Sequence, residues 1–479
     1  MVQYSIEELH ALLISGQIHF KEYYEELFKE IEYQQNRLNA FVTITKNETI
    51  LNLKKKDFVN MLCGIPYVLK DNYSTKGIKT TASSRMLENY IPVYNAHVVD
   101  LLNKQGACLV GKASMDEFAM GSTNQTALTG PVYNPWDRTR IAGGSSGGSA
   151  ALVASGVVPF SLGSDTGDSI RKPAGFCGVV GFKPTWGRIS RYGVIPYASS
   201  LDHVGAFTRN VRDMAIVMET LAGHDERDMT SSIKEVPQYL DCLDENIKGI
   251  RIAVLKTVSD EVENSIIQDN FNRVVNVLEE LGAIVENITM PIELLKAVLP
   301  TYTILANSEA TSNLACLDGI KYGHRRDGKT IEDTVIHSRT HGFSHQIKSR
   351  LILGNLALAY ENQERMFMKA QKVRRLIVEE LNKIYQSYDI ILTPNSGIIA
   401  PKVKQVDNQY TYESTILENH LILGNLAGLP SLSLPSGFVD GMPIAVHLMG
   451  RIFEEQTVLN VAYALENILG LKNQYSREG

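Results

Sequence analysis

Between Gly143 and Gly167 the chain is rich in glycine, serine and alanine, with few long side chains. A helix built from such residues can approach a sheet very closely, and its glycines permit backbone geometries closed to other residues. The segment therefore predicts a small-residue helix pressed onto a β-sheet, and the rest of the chain is read for the strands and helices that surround it. Ser5 with Glu8 forms a capping-box pattern, and Ile6, Leu9, Leu12 and Leu13 recur at helical spacing within two expected helices in the first 35 residues. Strand-like runs lie at 40–44, 65–69, 107–110, 251–256 and 389–393, with Pro66 marking an edge strand or a strand start. Helical patterns cover 97–104, 208–222, 260–281, 291–317 and 343–385, and 223–232 reads as a surface loop. The end reads as helix, strand, strand, helix through Leu421, Ser431, Ala445 and Leu459. No repeat or Pro-rich linker divides the chain. The expected fold class is α/β, one large domain over 1–479 with a mixed sheet covered by helices, a helical segment 1–60 packed on it and a core at 143–173.

Composition narrows the function classes. With 44% hydrophobic and 21% charged residues, wholesale disorder is excluded. The 47 basic against 53 acidic residues give a net charge of −6, which argues against a nucleic-acid-binding surface over the whole protein. The longest small and apolar stretch, 150–158, is far short of the roughly 20 residues of a membrane-spanning helix. The N-terminus has no basic start, apolar core or small-residue cleavage site, so no signal peptide is expected. Cys63, Cys108, Cys177, Cys242 and Cys316 are scattered and never spaced as C-x-x-C, a pattern of reduced thiols. Cytoplasm is the expected compartment, and no metal site is expected.

Three short motifs carry little. Gly106–Ala113 nearly spells a phosphate-binding loop, but Ala113 lacks the hydroxyl that would hold Mg²⁺ and strand-like residues fill the middle. His337, His341 and His345 could share a helix face, yet Gly342 interrupts them and no carboxylate partner is evident, so a polar helix face is expected. Ser146 centres a G-x-S-x-G with Asp389 and His447 downstream, but the preceding 138–144 is loop-like where a nucleophile elbow needs a strand.

The stronger constellation is Gly143-Gly144-Ser145-Ser146-Gly147-Gly148-Ser149-Ala150 followed by 163–173, which holds Asp165, Ser169, Arg171 and Pro173. Ser145 and Ser169 sit in segments that one helix and one strand could join, bringing them together. An amide hydrolase needs an activated hydroxyl, a base and donors for the oxyanion. Backbone N–H groups around Thr166, Gly167, Asp168 and Ser169 could be the donors. No histidine lies near either segment. Lys70 closes the apolar run 64–69, and burial there would disfavour its ammonium form and let it accept a proton. Asp71 would point to the opposite face.

The run from Gly143 to Pro173 resembles the amidase signature along its whole length. The resemblance implies an α/β/α fold and a Ser–cis-Ser–Lys triad. In it Ser169 is the acylated nucleophile, Ser145 the bridging serine and Lys70, within Val68-Leu69-Lys70-Asp71-Asn72, the general base. Segments 115–122, 200–205, 318–323, 370–374 and 425–430 resemble, within that family, the glutamine-hydrolysing subunits of tRNA-dependent amidotransferases. That likeness implies L-glutamine as substrate and ammonia passed to a B subunit, which uses ATP and Mg²⁺ to convert Glu-tRNA(Gln). It also implies a small C subunit, and no cofactor in this chain. Arg350 then resembles the arginine that pairs the substrate α-carboxylate, and Glu418 stands where the family usually has the aspartate for the α-ammonium. Asp168 stands where the family usually carries glycine, and its side chain is expected to point away with its N–H facing the site. Two other readings stay open: a stand-alone small-amide amidase, and a non-catalytic assembly subunit whose oxyanion hole Asp168 disables.

Overall fold

The computed structural model describes residues 3–51, 59–403 and 415–476. Residues 1, 2 and 52–58, part of the expected N-terminal segment, lie outside the described residues. Eleven strands form one mixed sheet: β1 (Phe41–Ile44), β2 (Pro66–Lys70), β3 (Cys108–Ala113), β4 (Phe160–Asp165), β5 (Val180–Lys183), β6 (His203–Thr208), β7 (Arg251–Leu255), β8 (Ile284–Ile288), β9 (Ile390–Pro394), β10 (Ser431–Val439) and β11 (Met442–Gly450). Their order across the sheet is β1-β3-β2-β4-β6-β5-β10-β11-β9-β7-β8. Helices cover the sheet, as expected for this class.

The elements nearest the small-residue run follow from its composition. Gly147–Ala154 is a helix in which all eight residues are buried. At Gly148 a Cβ would stand 2.5 Å from the Ser114 carbonyl oxygen and 2.6 Å from that of Ala40, so only glycine allows this approach. Leu162 O accepts the Ser149 hydroxyl at 2.9 Å, and Ser149 O accepts that of Ser161 at 2.8 Å. These bonds satisfy buried hydroxyls while locking the helix to β4.

Strands β2 and β4 run parallel, with Tyr67 opposite Phe160 and Leu69 opposite Leu162. Their C-terminal ends therefore open on the same edge, and Lys70 comes level with the segment that begins at Gly163. Parallel strands buried on both faces read as continuous apolar runs, and all five residues of β2 are buried. Pro66 is the first residue of β2, flanked by β3 and β4, so it marks a strand start and not a sheet edge.

Two expectations need correction. The 343–385 pattern is not continuous: His345–Leu358 ends at Ala359, whose ψ of 141° leaves the helical region, and Tyr360–Gln363, a π-helical turn and Lys369–Ile384 follow. Hydrophobic spacing on either side does not encode one residue's change in ψ. Strands β5, β6 and β8 add to those that the sequence pattern predicts; β6 carries a histidine and a glycine, and β8 is partly exposed, so neither shows a strong strand pattern. Among the described residues no helix is long and apolar enough to cross a membrane.

Candidate active site

Lys70 is fully buried at the end of β2. Its Nζ lies 2.8 Å from Ser145 Oγ, 3.1 Å from Ser164 O and 3.0 Å from Ser164 Oγ. Asn72 Nδ2 donates to the same Ser164 hydroxyl at 3.0 Å. Burial lowers the Lys70 pKa to about 7, against the opposing pull of Asp116, Asp165, Asp202 and Asp168. A substantial neutral fraction thus exists near neutral pH. Asp71 turns to the other face, 3.7 Å from Lys112, as side-chain alternation requires.

Ser145 follows a cis Gly144–Ser145 peptide bond. Its carbonyl accepts the Asp116 N–H at 3.1 Å. The Asp116 carboxylate accepts the N–H of Asn124 at 2.8 Å and the Thr126 hydroxyl at 2.8 Å. A Cβ on Gly144 would stand 2.1 Å from Asp116 Oδ2, so the turn must be glycine. The Ser169 segment lies against this turn, its carbonyl accepting the Ser146 N–H at 3.3 Å. Ser169 is buried, and its hydroxyl makes no hydrogen bond among the described residues.

A buried cluster fixes the loop between β4 and the helix Arg171–Cys177. Arg171 holds Asp165 with Nη2 at 2.8 Å and Nε at 3.1 Å, and also donates to Gly167 O at 2.7 Å. Burial would raise the Asp165 pKa, but the guanidinium holds it well below the usual carboxylate range. Asn425 Nδ2 donates to Asp165 Oδ1 at 2.9 Å, and the Thr166 hydroxyl donates to Asp202 at 2.7 Å. With both ends of the loop fixed, the backbone N–H groups of Thr166, Gly167, Asp168 and Ser169 donate to no acceptor among the described residues. Such a run of unpaired N–H groups suits a developing oxyanion.

The rim of the site comes from distant helices. Arg350, on His345–Leu358, is 9% exposed and donates from Nη1 to the Tyr197 hydroxyl at 2.9 Å. Tyr302, on Val298–Asn313, packs over Gly167, where a Cβ would come within 3.0 Å of its Cζ. The Asp168 side chain turns to Lys172, with 2.8 Å between Oδ2 and Nζ. Lys172 also donates to the Glu418 carbonyl at 3.2 Å. Glu418 itself is exposed on the short helix Ile416–Asn419. A cavity of about 350 Å³ opens beside Asn72, Ser164, Tyr197 and Asp202, and Ser145 and Ser169 are not on its wall. Sequence reasoning misses the contacts of Ser164, Asp202 and Tyr302. Ser164 and Asp202 belong to segments that the sequence singles out, whereas nothing marks Tyr302.

The three short motifs resolve as structural features. Lys112 of the Gly106–Ala113 run is a buried strand residue that donates to Tyr73 O at 2.7 Å and to Thr80 Oγ1 at 2.8 Å. His337 and His341 lie on Ile331–Gly342 while His345 begins the next helix, and His341 Nε2 sits 2.6 Å from Arg326 Nη1. No group of three or more metal-ligating side chains occurs among the described residues. Ser146 donates to Ser164 O at 3.1 Å, whereas His447 lies 3.2 Å from Thr393 Oγ1 and Asp389 binds the Arg251 N–H at 2.9 Å, so no such triad assembles.

A family model described as Amidase matches residues 22–459. The chain is 42% identical to the A subunit of the glutamyl-tRNA(Gln) amidotransferase of Geobacillus thermodenitrificans, over 97% of each chain. It is similar to the crystal structure of the corresponding glutamyl-tRNA(Gln) amidotransferase chain from Thermotoga maritima, with 37% identity, a TM-score of 0.82 and coverage of 97% of this chain and 94% of that one. A bacterial aryl acylamidase of the amidase signature enzymes, 23% identical with a TM-score of 0.86 and 99% of each chain covered, shares the fold.

Proposed function

The chain belongs to the amidase family, and on that premise we propose that it is the glutamine-hydrolysing subunit of a glutamyl-tRNA(Gln) amidotransferase. One observation carries the chemistry. Lys70 is buried 2.8 Å from the Ser145 hydroxyl, level with the Ser169 loop, and among the described residues no carboxylate lies within its hydrogen-bond reach.

In the neutral form, two Lys70 N–H groups donate to Ser164 and the lone pair faces the Ser145 hydroxyl. Ser169 Oγ attacks the glutamine carboxamide carbon, giving its proton to Ser145 as Ser145 gives its own to Lys70. Negative charge grows on the carboxamide oxygen, and the N–H groups of Thr166 to Ser169 receive it. The proton returns through Ser145 to the nitrogen, the C–N bond breaks and ammonia leaves. Water then attacks the γ-glutamyl ester, transferring its proton along the same path, and glutamate departs. Arg350 holds the substrate α-carboxylate, for which a guanidinium offers a paired set of donors.

The ammonia goes to a partner B subunit that holds ATP, Mg²⁺ and Glu-tRNA(Gln), and a C subunit completes a heterotrimer in the cytoplasm. The net charge of −6 fits a chain whose partner holds the tRNA. The test is ammonia release from L-glutamine by this chain assembled with its B and C partners. Ser169→Ala should lower the rate by at least about 10⁴-fold. Turnover near the unmodified rate would overturn the nucleophile. No release from the assembled complex supplied with Glu-tRNA(Gln) and ATP would favour an assembly role.

A further inference from the structure

The residue just before the nucleophile is a carboxylate, and the structure gives it a defined place. Asp168 is held from one side by Lys172, at 2.8 Å from Oδ2, and its other oxygen has no hydrogen-bond partner among the described residues. Its side chain is 15% exposed, so it is shielded yet open to a ligand. Tyr302 lies over the neighbouring Gly167. The Tyr302 hydroxyl, whose pKa burial raises far above its usual value, also feels the Arg350 cation and the Asp168 anion. Arg350 donates to the Tyr197 hydroxyl at 2.9 Å, and Tyr302 packs on Gly167 beside Asp168, so a cation and an anion both lie in the neighbourhood of the Ser169 loop.

Glu418 is placed differently. It is exposed on a four-residue helix whose Ile416 and Leu417 are buried, and what reaches toward Lys172 is its backbone carbonyl. Lys172 stands between the two acidic residues: burial would lower its pKa, but Asp168 first and Glu418 second raise it. Asp168, Lys172 and Glu418 together carry one net negative charge. An ammonium group would complete that balance.

We propose that Asp168, held in place by Lys172, is the specificity residue that receives the α-ammonium of an amino-acid amide substrate, with Arg350 receiving its α-carboxylate. This rests on the glutaminase reading and moves the amine contact from Glu418 to the residue adjoining the nucleophile. Lys172 has two effects here. It aims the carboxylate and, being a cation, weakens the pull on a second one, so the site favours a ligand that also satisfies Arg350. The carboxylate is no obstacle to the oxyanion, because its charge is spent on two ammonium groups away from the N–H donors.

The test compares L-glutamine with glutaramate, the same molecule without its α-amine, as substrates of the assembled complex. The complex with unmodified chain should favour glutamine in kcat/KM by tenfold to a hundredfold, the scale of a hydrogen bond to a charged group. Asp168→Asn should collapse that ratio, mostly through KM for glutamine, Asp168→Glu should restore part of it, and Glu418→Gln should retain it. A purely structural role for Asp168 would lower both substrates alike and leave the ratio intact, which would overturn the proposal. So would a ratio lost in Glu418→Gln, or unmodified chain that prefers glutaramate because Lys172 itself fills the amine site. If the unmodified complex hydrolyses neither substrate, the glutaminase reading falls first.

Discussion

Lys70 and Lys112 make an instructive pair. They stand on the adjacent parallel strands β2 and β3, where Leu69 is opposite Lys112, and both are fully buried. Burial lowers both pKa values, to about 7 and about 8. Their neighbours differ. Lys112 has the Asp71 carboxylate at 3.7 Å and bonds to Tyr73 O and Thr80 Oγ1, so its charge is held and its donors are used. Lys70 has two serines and, among the described residues, no carboxylate in hydrogen-bond reach. Desolvation alone makes a lysine reluctant to carry charge; a hydroxyl in place of a carboxylate makes it available as a base.

Substitution with methionine should separate the two lysines. Lys70→Met removes the proton acceptor and should cost about 10³-fold in glutamine hydrolysis, within the range for general acid–base groups, with folding preserved. Lys112→Met should act the other way. It leaves Asp71 buried without its cation, so stability to denaturant should fall by about 3 kcal/mol, while the rate per folded molecule stays close to that of the unmodified chain. If Lys112→Met silenced a still-folded protein, the contrast between the two lysines would fail.

The pH profile sharpens the same contrast. Lys70 works only when neutral, and protons neutralise its lone pair below its pKa of about 7. The kcat/KM for glutamine should therefore fall about tenfold per unit below that pH and level off above it. A profile flat from pH 5 to 8 would remove Lys70 from the reaction.

The two sides of the site are unequally legible in the sequence. Gly143 to Pro173 announces itself, because a Cβ at Gly148 would stand only 2.5 Å and 2.6 Å from two backbone oxygens, and a helix packed that closely must draw on the smallest residues. Lys70 stands out as a charge closing an apolar run. The rim has no such signature. Tyr302 sits in a helix of mixed apolar and polar residues, and only the tertiary fold lays it over Gly167. Asp168 and Lys172 do have the i, i+4 spacing of a helical ion pair, but the helix begins only at Arg171, so the spacing alone does not point to it. Close-packed chemistry leaves a compositional mark, whereas contacts between distant helices leave almost none.

The smallest effect joins both sides of the site. Asp168 is among the carboxylates that raise the Lys70 pKa, though it ranks behind Asp116, Asp165 and Asp202. A nearby anion stabilises the ammonium form, so removing one lowers the pKa and frees more base at a given acid pH. Asp168→Asn, assayed on glutaramate so that the amine contact plays no part, should move the acid limb to lower pH by less than about one unit. Lys112→Met should move the limb less, since Lys112 is not among the charges that act most strongly on Lys70. An upward shift in Asp168→Asn would mean that Lys172, released from its partner, changes the field at Lys70 more than the lost carboxylate does. The Asp168–Lys172 pair would then act on the base as a unit, and the amine contact would have to be sought with both residues changed together.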